Sequence, residues 1–146
     1  QLMGTWDSSD RRYHARTVMM GSPAIISTTG LVEAPAKAPG FYIAKNSTAA
    51  FGFTQVETME LAQTFAGDHL GHEDQRMTDV AKGYVMQPVA YRVTGEPFCS
   101  DDGCRLYNAH WQAEMIRAQI GGGYDFCERH EKALKEFSAS GELSWI

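Results

Sequence analysis

Four residues near the end of the chain have the types and spacing of metal ligands. Cys99, Cys104, Cys127 and His130 form the pattern C-x4-C-x22-C-x2-H. Thiolates and a neutral imidazole are the donors that zinc prefers, and four of them complete its tetrahedron. The first pair lies on a short turn where Gly103 lets the backbone wrap toward an ion. The second pair falls at the start of a helix, where residues i and i+3 share a face. A filled coordination shell leaves no place for water or substrate, so the chemistry this pattern predicts is structural: one zinc ion, contributing on the order of 10 kcal/mol to folding. Three buried free thiols and a surface histidine are the alternative. The repeated dipeptide Phe-Cys, at 98–99 and 126–127, favours the metal. An iron–sulfur cluster fits less well, because it takes more thiolates at closer spacing.

Other residues offer weaker chemistry. His69 and His72 stand three apart among carboxylates, in GDHLGHED. With Glu73 or His14 they could form a second metal site, although acidic residues before a helix explain Glu73 and Asp74 equally well. His110 and Glu114 are spaced for one helix face and suit either an acid/base pair or a surface hydrogen bond. Asn108, Trp111, Gln112 and Arg117, read as sharing one helix beside the cysteine cluster, are residue types favoured at protein interfaces, with a core role for Trp111 the competing reading. The glycines at 121–123 lack the lysine and the preceding strand of a phosphate loop and read as a hinge or tight turn.

The elements that must position these residues divide the chain in two. Residues 1–11 read as a flexible lead-in and 12–146 as one domain. RYHARTVMM and SPAIIST have strand composition, with Gly21-Ser22-Pro23 between them, and Leu31–Ala34 and Gly40–Ala44 are candidate short strands. Helices follow. One starts at the capping box Thr54–Glu57 and stops at Gly67. The next runs from about Asp74 to Gly95 and should kink or stop at Pro88. A third spans about 105–120, and the last begins at Cys127.

Bulk composition narrows the function. With 146 residues, 43% hydrophobic, 21% charged and a net charge of −5, the chain is an ordinary globular domain without the basic footprint of a nucleic-acid binder. No apolar run is long enough for a membrane span. An odd number of cysteines near a histidine suits the reducing cytoplasm. A start at Gln1 is expected of a fragment or a processed product.

The cysteine pattern resembles the tail of the archaemetzincins, zinc peptidases common in archaea, whose signature is H-E-x-x-H-x-x-G-x-x-H-C-x4-C-x-M followed by C-x-x-C. With Cys99 and Cys104 on the C-x4-C, Gly95 matches the family glycine, Leu106 replaces the methionine, and Cys127 and His130 take the last pair. The resemblance covers about Asp79 to Leu134. It implies a single-domain α/β fold of the zincin type, a small mixed sheet plus helices closed by a C-terminal zinc clip. The catalytic positions depart: Pro88 and Val89 stand where the family has its first histidine and its glutamate, and Arg92 and Phe98 where it has the other two histidines. Proline, valine and phenylalanine neither bind zinc nor take a proton, and Arg92 repels a cation. The expectation is a catalytically inert zinc-binding protein that binds a protein or peptide or serves as a scaffold. The alternative is a hydrolase that uses a second metal at His69 and His72.

Overall fold

The computed structural model of the chain describes residues 4–8, 12–15, 17–21, 23–43, 46, 69–122 and 125–140. Strand β1 (Gly4–Asp7) pairs antiparallel with β2 (Arg12–Ala15), and β3 (Val18–Met19) with β4 (Ile25–Ile26). Among the described residues the expected mixed sheet is therefore two separate antiparallel pairs. β1 lies within the segment expected as a lead-in. The β3–β4 hairpin turns through Gly21 and Pro23, as the sequence suggests.

The expected strand over Leu31–Ala34 is instead part of helix α1 (Thr28–Glu33). Its β-branched residues favour a strand, but Ser27 caps it: the extended Ser27 accepts the Gly30 N–H on Oγ at 2.9 Å. Residues 39–43 are also helical rather than extended. The helix expected from Thr54 to Gly67 lies outside the described residues.

Helix α2 (Met77–Thr94) does not stop at Pro88. Its interior proline removes one amide donor, yet Val80, Gly83, Tyr84, Gln87 and Ala90 keep a buried stripe at helical spacing on both sides of it. It ends as expected at Gly95, whose φ of 79° is the left-handed conformation that glycine adopts without strain. The third helix begins later than expected. Residues 105–106 form a turn and Tyr107 bridges to Cys99, and α3 (Gln112–Ile116) continues as a π-helical turn over Arg117–Gly121. Helix α4 spans Glu128–Ala139.

The hydrophobic residues bury in two clusters. Leu31 and Val32 of α1, Leu70, Val80 and Tyr84 of α2, and Met115 of α3 form one; Ala90, Cys99, Cys104 and Leu106 form the other, with Phe126 and Cys127 packed against it. No helix among the described residues is long and apolar enough to cross a membrane.

Gln112 ties the first cluster together. It is fully buried; its Nε2 donates to the carbonyls of Leu31 (2.8 Å) and Val32 (3.0 Å), and its Oε1 accepts the Leu70 N–H at 3.0 Å. One amide thus satisfies the end of α1 and the loop before α2, and its own backbone N–H reaches the Ala36 carbonyl at 2.8 Å. Gln112→Ala leaves three buried backbone groups without these partners and is expected to cost about 3 kcal/mol in urea unfolding. Gln112→Glu retains one acceptor but loses both donors, and should be no better.

Candidate metal centre

The C-terminal end of α2 delivers the chain, through Gly95, to the first cysteine pair. The loop from Cys99 to Asn108 folds on itself: the Cys99 N–H donates to the Leu106 carbonyl (2.8 Å) and the Asn108 N–H to the Cys99 carbonyl (3.1 Å). Within it the Asp101 N–H points to Cys99 Sγ at 3.3 Å, and the Asp101 carboxylate accepts the Gly103 N–H at 3.0 Å. The second pair arrives from the other side. The Arg105 N–H donates to the Asp125 carbonyl (3.1 Å), and the Cys127 N–H reaches Cys104 Sγ at 3.4 Å. Cys127 is the N-cap of α4, and His130 lies one turn on. Gly122, after the π turn, comes close to the knuckle; a Cβ there would sit 3.4 Å from the Gly103 carbonyl.

All four side chains meet. Their ligand atoms lie within 4.8 Å of one another. Cys99 and Cys127 sulfurs are 3.8 Å apart, Cys104 Sγ is 3.7 Å from His130 Nδ1, and Cys127 Sγ is 3.0 Å from the same nitrogen. Metal–sulfur bonds of about 2.3 Å and metal–nitrogen bonds of about 2.0 Å give tetrahedral edges of roughly 3.8 and 3.5 Å. The first two separations match, and the third needs to open by only about 0.5 Å. A sulfur separation of 3.8 Å is not a disulfide, and all three cysteines are free. The group fits one metal ion with four protein ligands.

Electrostatics suits the same role. Burial pushes the Cys104 thiol up to about 11. At Cys127 burial also opposes the thiolate, but the His130 backbone amide and the neighbouring thiols outweigh it and bring the thiol below its ordinary value. Burial, and then the Arg129 charge, hold His130 below its usual range, so the imidazole is neutral at pH 7, as a ligand must be. An ion replaces the protons of such thiols with bonds.

Among the described residues the remaining candidates are not assembled in this way. Among the described residues, Cys99, Cys104, Cys127 and His130 are the only group of three or more potential ligands that can hold an ion. His69 is half-buried against the Phe41 ring, with centroids 4.8 Å apart, whereas His72 is exposed, 3.7 Å from Glu33. The side chain of His14 lies outside the described residues, and Glu73 is exposed. Glu114 is a cap rather than an acid or base: its Oε2 accepts the N–H groups of His110 (3.0 Å) and Trp111 (3.2 Å) at the start of α3. Of the expected interface residues, Asn108 belongs to the turn before α3 and not to the helix. Trp111 is the half-buried N-cap, and exposed Arg117 pairs with Asp102 at 3.0 Å. Sequence reasoning missed Arg129 and Glu96, which pair at 3.3 Å beside His130. Arg129 adjoins a ligand in sequence, but nothing marks Glu96, thirty-three residues away.

The acidic segment before α2 has a structural role. Arg76 donates to the Asp74 carboxylate at 2.7 and 3.0 Å and to the His69 carbonyl at 2.8 Å. The Arg76 side-chain hydrogen bond is the main cause that lowers the Asp74 carboxyl to about 2. A depressed carboxyl stabilises the fold above its unfolded value of 3.8, and the stability is lost as pH falls through about 2. Asp74→Asn is therefore expected to cost about 2 kcal/mol at pH 7. The gap to the parent protein should close between pH 4 and pH 2 in thermal melts; a gap independent of pH would rule out the ion pair as its source.

No curated protein and no solved structure matches the chain. Over residues 1–137 it matches the family described as "Probable metallopeptidase family (DUF6775)", and it belongs to that family.

Proposed function

We propose that this protein is a zinc-braced, archaemetzincin-like domain that has lost hydrolysis and works in the reducing cytoplasm as a protein- or peptide-binding unit or scaffold. The observation that carries this reading is the contrast between two sets of positions. The sulfur–imidazole cluster is complete, and Cys99, Cys104 and His130 are at most 5% exposed, which suits a closed structural ion. Three thiolates with one imidazole favour zinc over the harder divalent cations. The positions that would carry catalysis in a relative are intact as a frame and empty of ligands. Pro88 and Val89 are half-buried on α2, Arg92 is exposed near its end, and Phe98 is exposed beside Cys99. A binding role draws support from the large apolar residues left exposed on α2 and just beyond it: Val85 (50%), Tyr91 (48%) and Phe98 (42%).

Elemental analysis of the purified protein, together with an assay on unfolded casein, tests the reading. One zinc per chain and no cleavage are expected. Two metals per chain with chelator-sensitive cleavage would reinstate the hydrolase. An absence of bound metal would remove the brace.

A further inference from the structure

Among the described residues three glutamines are fully buried, and the protein matches both amide atoms of two of them. Gln112 joins α1 to the loop before α2, and Gln119 joins the π turn to Arg105. Gln87 of α2 is different. It is 1% exposed, and among the described residues neither its Oε1 nor its Nε2 has a hydrogen-bond partner. A buried carboxamide left in that condition is strongly disfavoured, because its two donors and its acceptor have given up water for nothing.

Two further polar groups lie on the same turn. Tyr84, three residues earlier on the buried stripe, is 5% exposed. Burial is the one cause that raises its hydroxyl above the ordinary value, and no hydrogen bond contributes. Pro88 follows Gln87 directly and has no N–H to return to the Tyr84 carbonyl four residues back. The turn also sits at a join in the core. Val80 and Tyr84 pack in the cluster with Leu31 and Met115, Ala90 packs in the one with Cys99 and Leu106, and Gln87 lies between them along the helix. Long helical side chains lean toward the helix N-terminus, which carries the Gln87 amide over the turn of Gly83 and Tyr84.

We propose that this turn of α2 is an internal water-binding site, in which the Gln87 carboxamide and the Tyr84 hydroxyl hold ordered water that also serves the carbonyl deprived of its amide by Pro88. The set has donors and acceptors and no formal charge, so it suits a small neutral molecule that both gives and receives hydrogen bonds. Water in protein interiors makes about three such bonds, and these groups supply them. Ordered water is also a known replacement for the amide that a helical proline lacks. It therefore adds to the burial that carries α2 past Pro88. The inference does not depend on the metal centre.

The test combines a high-resolution crystal structure of the full chain with thermal melts of two variants. Density for water is expected within hydrogen-bonding distance of Gln87 Oε1 or Nε2. Tyr84→Phe removes a hydroxyl and no packing, and is expected to lower the melting temperature by about 4 °C. Gln87→Met keeps the length of the side chain but loses its polar atoms, with a fall of about 5 °C or more expected. Because both variants act on one site, the double variant should lose less than the sum of the two. Dry groups predict the opposite sign, since an apolar replacement relieves an unmet hydrogen bond. Unchanged or raised melting temperatures would overturn the site, as would density showing a protein group or a larger molecule bonded to Gln87. Either result leaves the reading of the cysteine cluster standing.

Discussion

Cys99→Ser is expected to abolish stoichiometric zinc binding and to lower the melting temperature by about 10 °C or more. The expectation follows from how little else holds the last helix. α4 buries one residue fully, and that residue is His130, a candidate ligand; Ala133, Leu134 and Phe137 are only half-buried. Among the described residues, the polar ties between this end of the chain and the loop before it include the Arg105–Asp125 backbone bond, the Cys127 amide on the Cys104 sulfur, and an exposed Arg129–Glu96 pair of small value, beside the packing of Phe126 and Cys127 on the second cluster. An ion that contributes on the order of 10 kcal/mol is comparable to the whole stability of a domain, so it outweighs those ties. Serine preserves the volume but is a poor ligand, and three remaining ligands grip far more weakly. The loss should be local first. The cluster around Leu31, Val80 and Met115 is separate from the one around the cysteines, so amide exchange should accelerate over 128–139 and around 99–108 before it does in α2. A chelator should bring the parent protein down to the level of the variant and leave the variant unchanged. Equal zinc content and equal melting temperature would mean that Cys99 is no ligand.

The gathering of Cys99, Cys104, Cys127 and His130 was legible in the sequence because candidate ligand spacing is local: each half is a short segment with fixed spacing, and only the joining of the halves needed a fold. The end of α2 was legible for the same reason, since Gly95 is a stop whatever lies around it. Its length was not. Of the two outcomes expected at Pro88, a kink or a stop, the stop does not occur: the burial of Tyr84 and Ala90 on either side outweighs one missing hydrogen bond. α1 was misread because Thr28, Thr29 and Val32 favour strands, while the capping Ser27 and the bonds from Gln112 to the carbonyls of Leu31 and Val32 stabilise a helix. Gln112 itself was read as a surface residue. A buried amide that serves partners eighty residues away leaves no trace in local composition.

Gly83 is the second position where one atom should decide much. By helix propensity, Gly83→Ala in the middle of α2 ought to stabilise by about 1 kcal/mol. The neighbours dictate the opposite. A Cβ there would lie 1.6 Å from Gln119 Oε1, 2.6 Å from its Cδ and 2.7 Å from Arg105 Nε. Gln119 cannot simply swing away, being 1% exposed and held through Nε2 to the Arg105 carbonyl at 2.6 Å and through Oε1 to Arg105 Nε at 3.3 Å. Arg105 is itself buried and donates to the Asp79 carbonyl of α2 at 2.8 Å. The π turn explains why the glutamine is there: its extra residue per turn lets the consecutive Ala118 and Gln119 both face inward. A methyl group would push the turn off α2, break two buried hydrogen bonds and disturb the arginine, so a net loss of about 3 kcal/mol or more is expected. Because Arg105 lies between Cys104 and Leu106, the strain should also reach the metal loop and weaken zinc binding. The double variant Gly83→Ala with Gln119→Ala makes room for the methyl, and its stability should exceed the sum of the two single effects. A Gly83→Ala protein as stable as its parent would show that α2 and the π turn do not pack this closely.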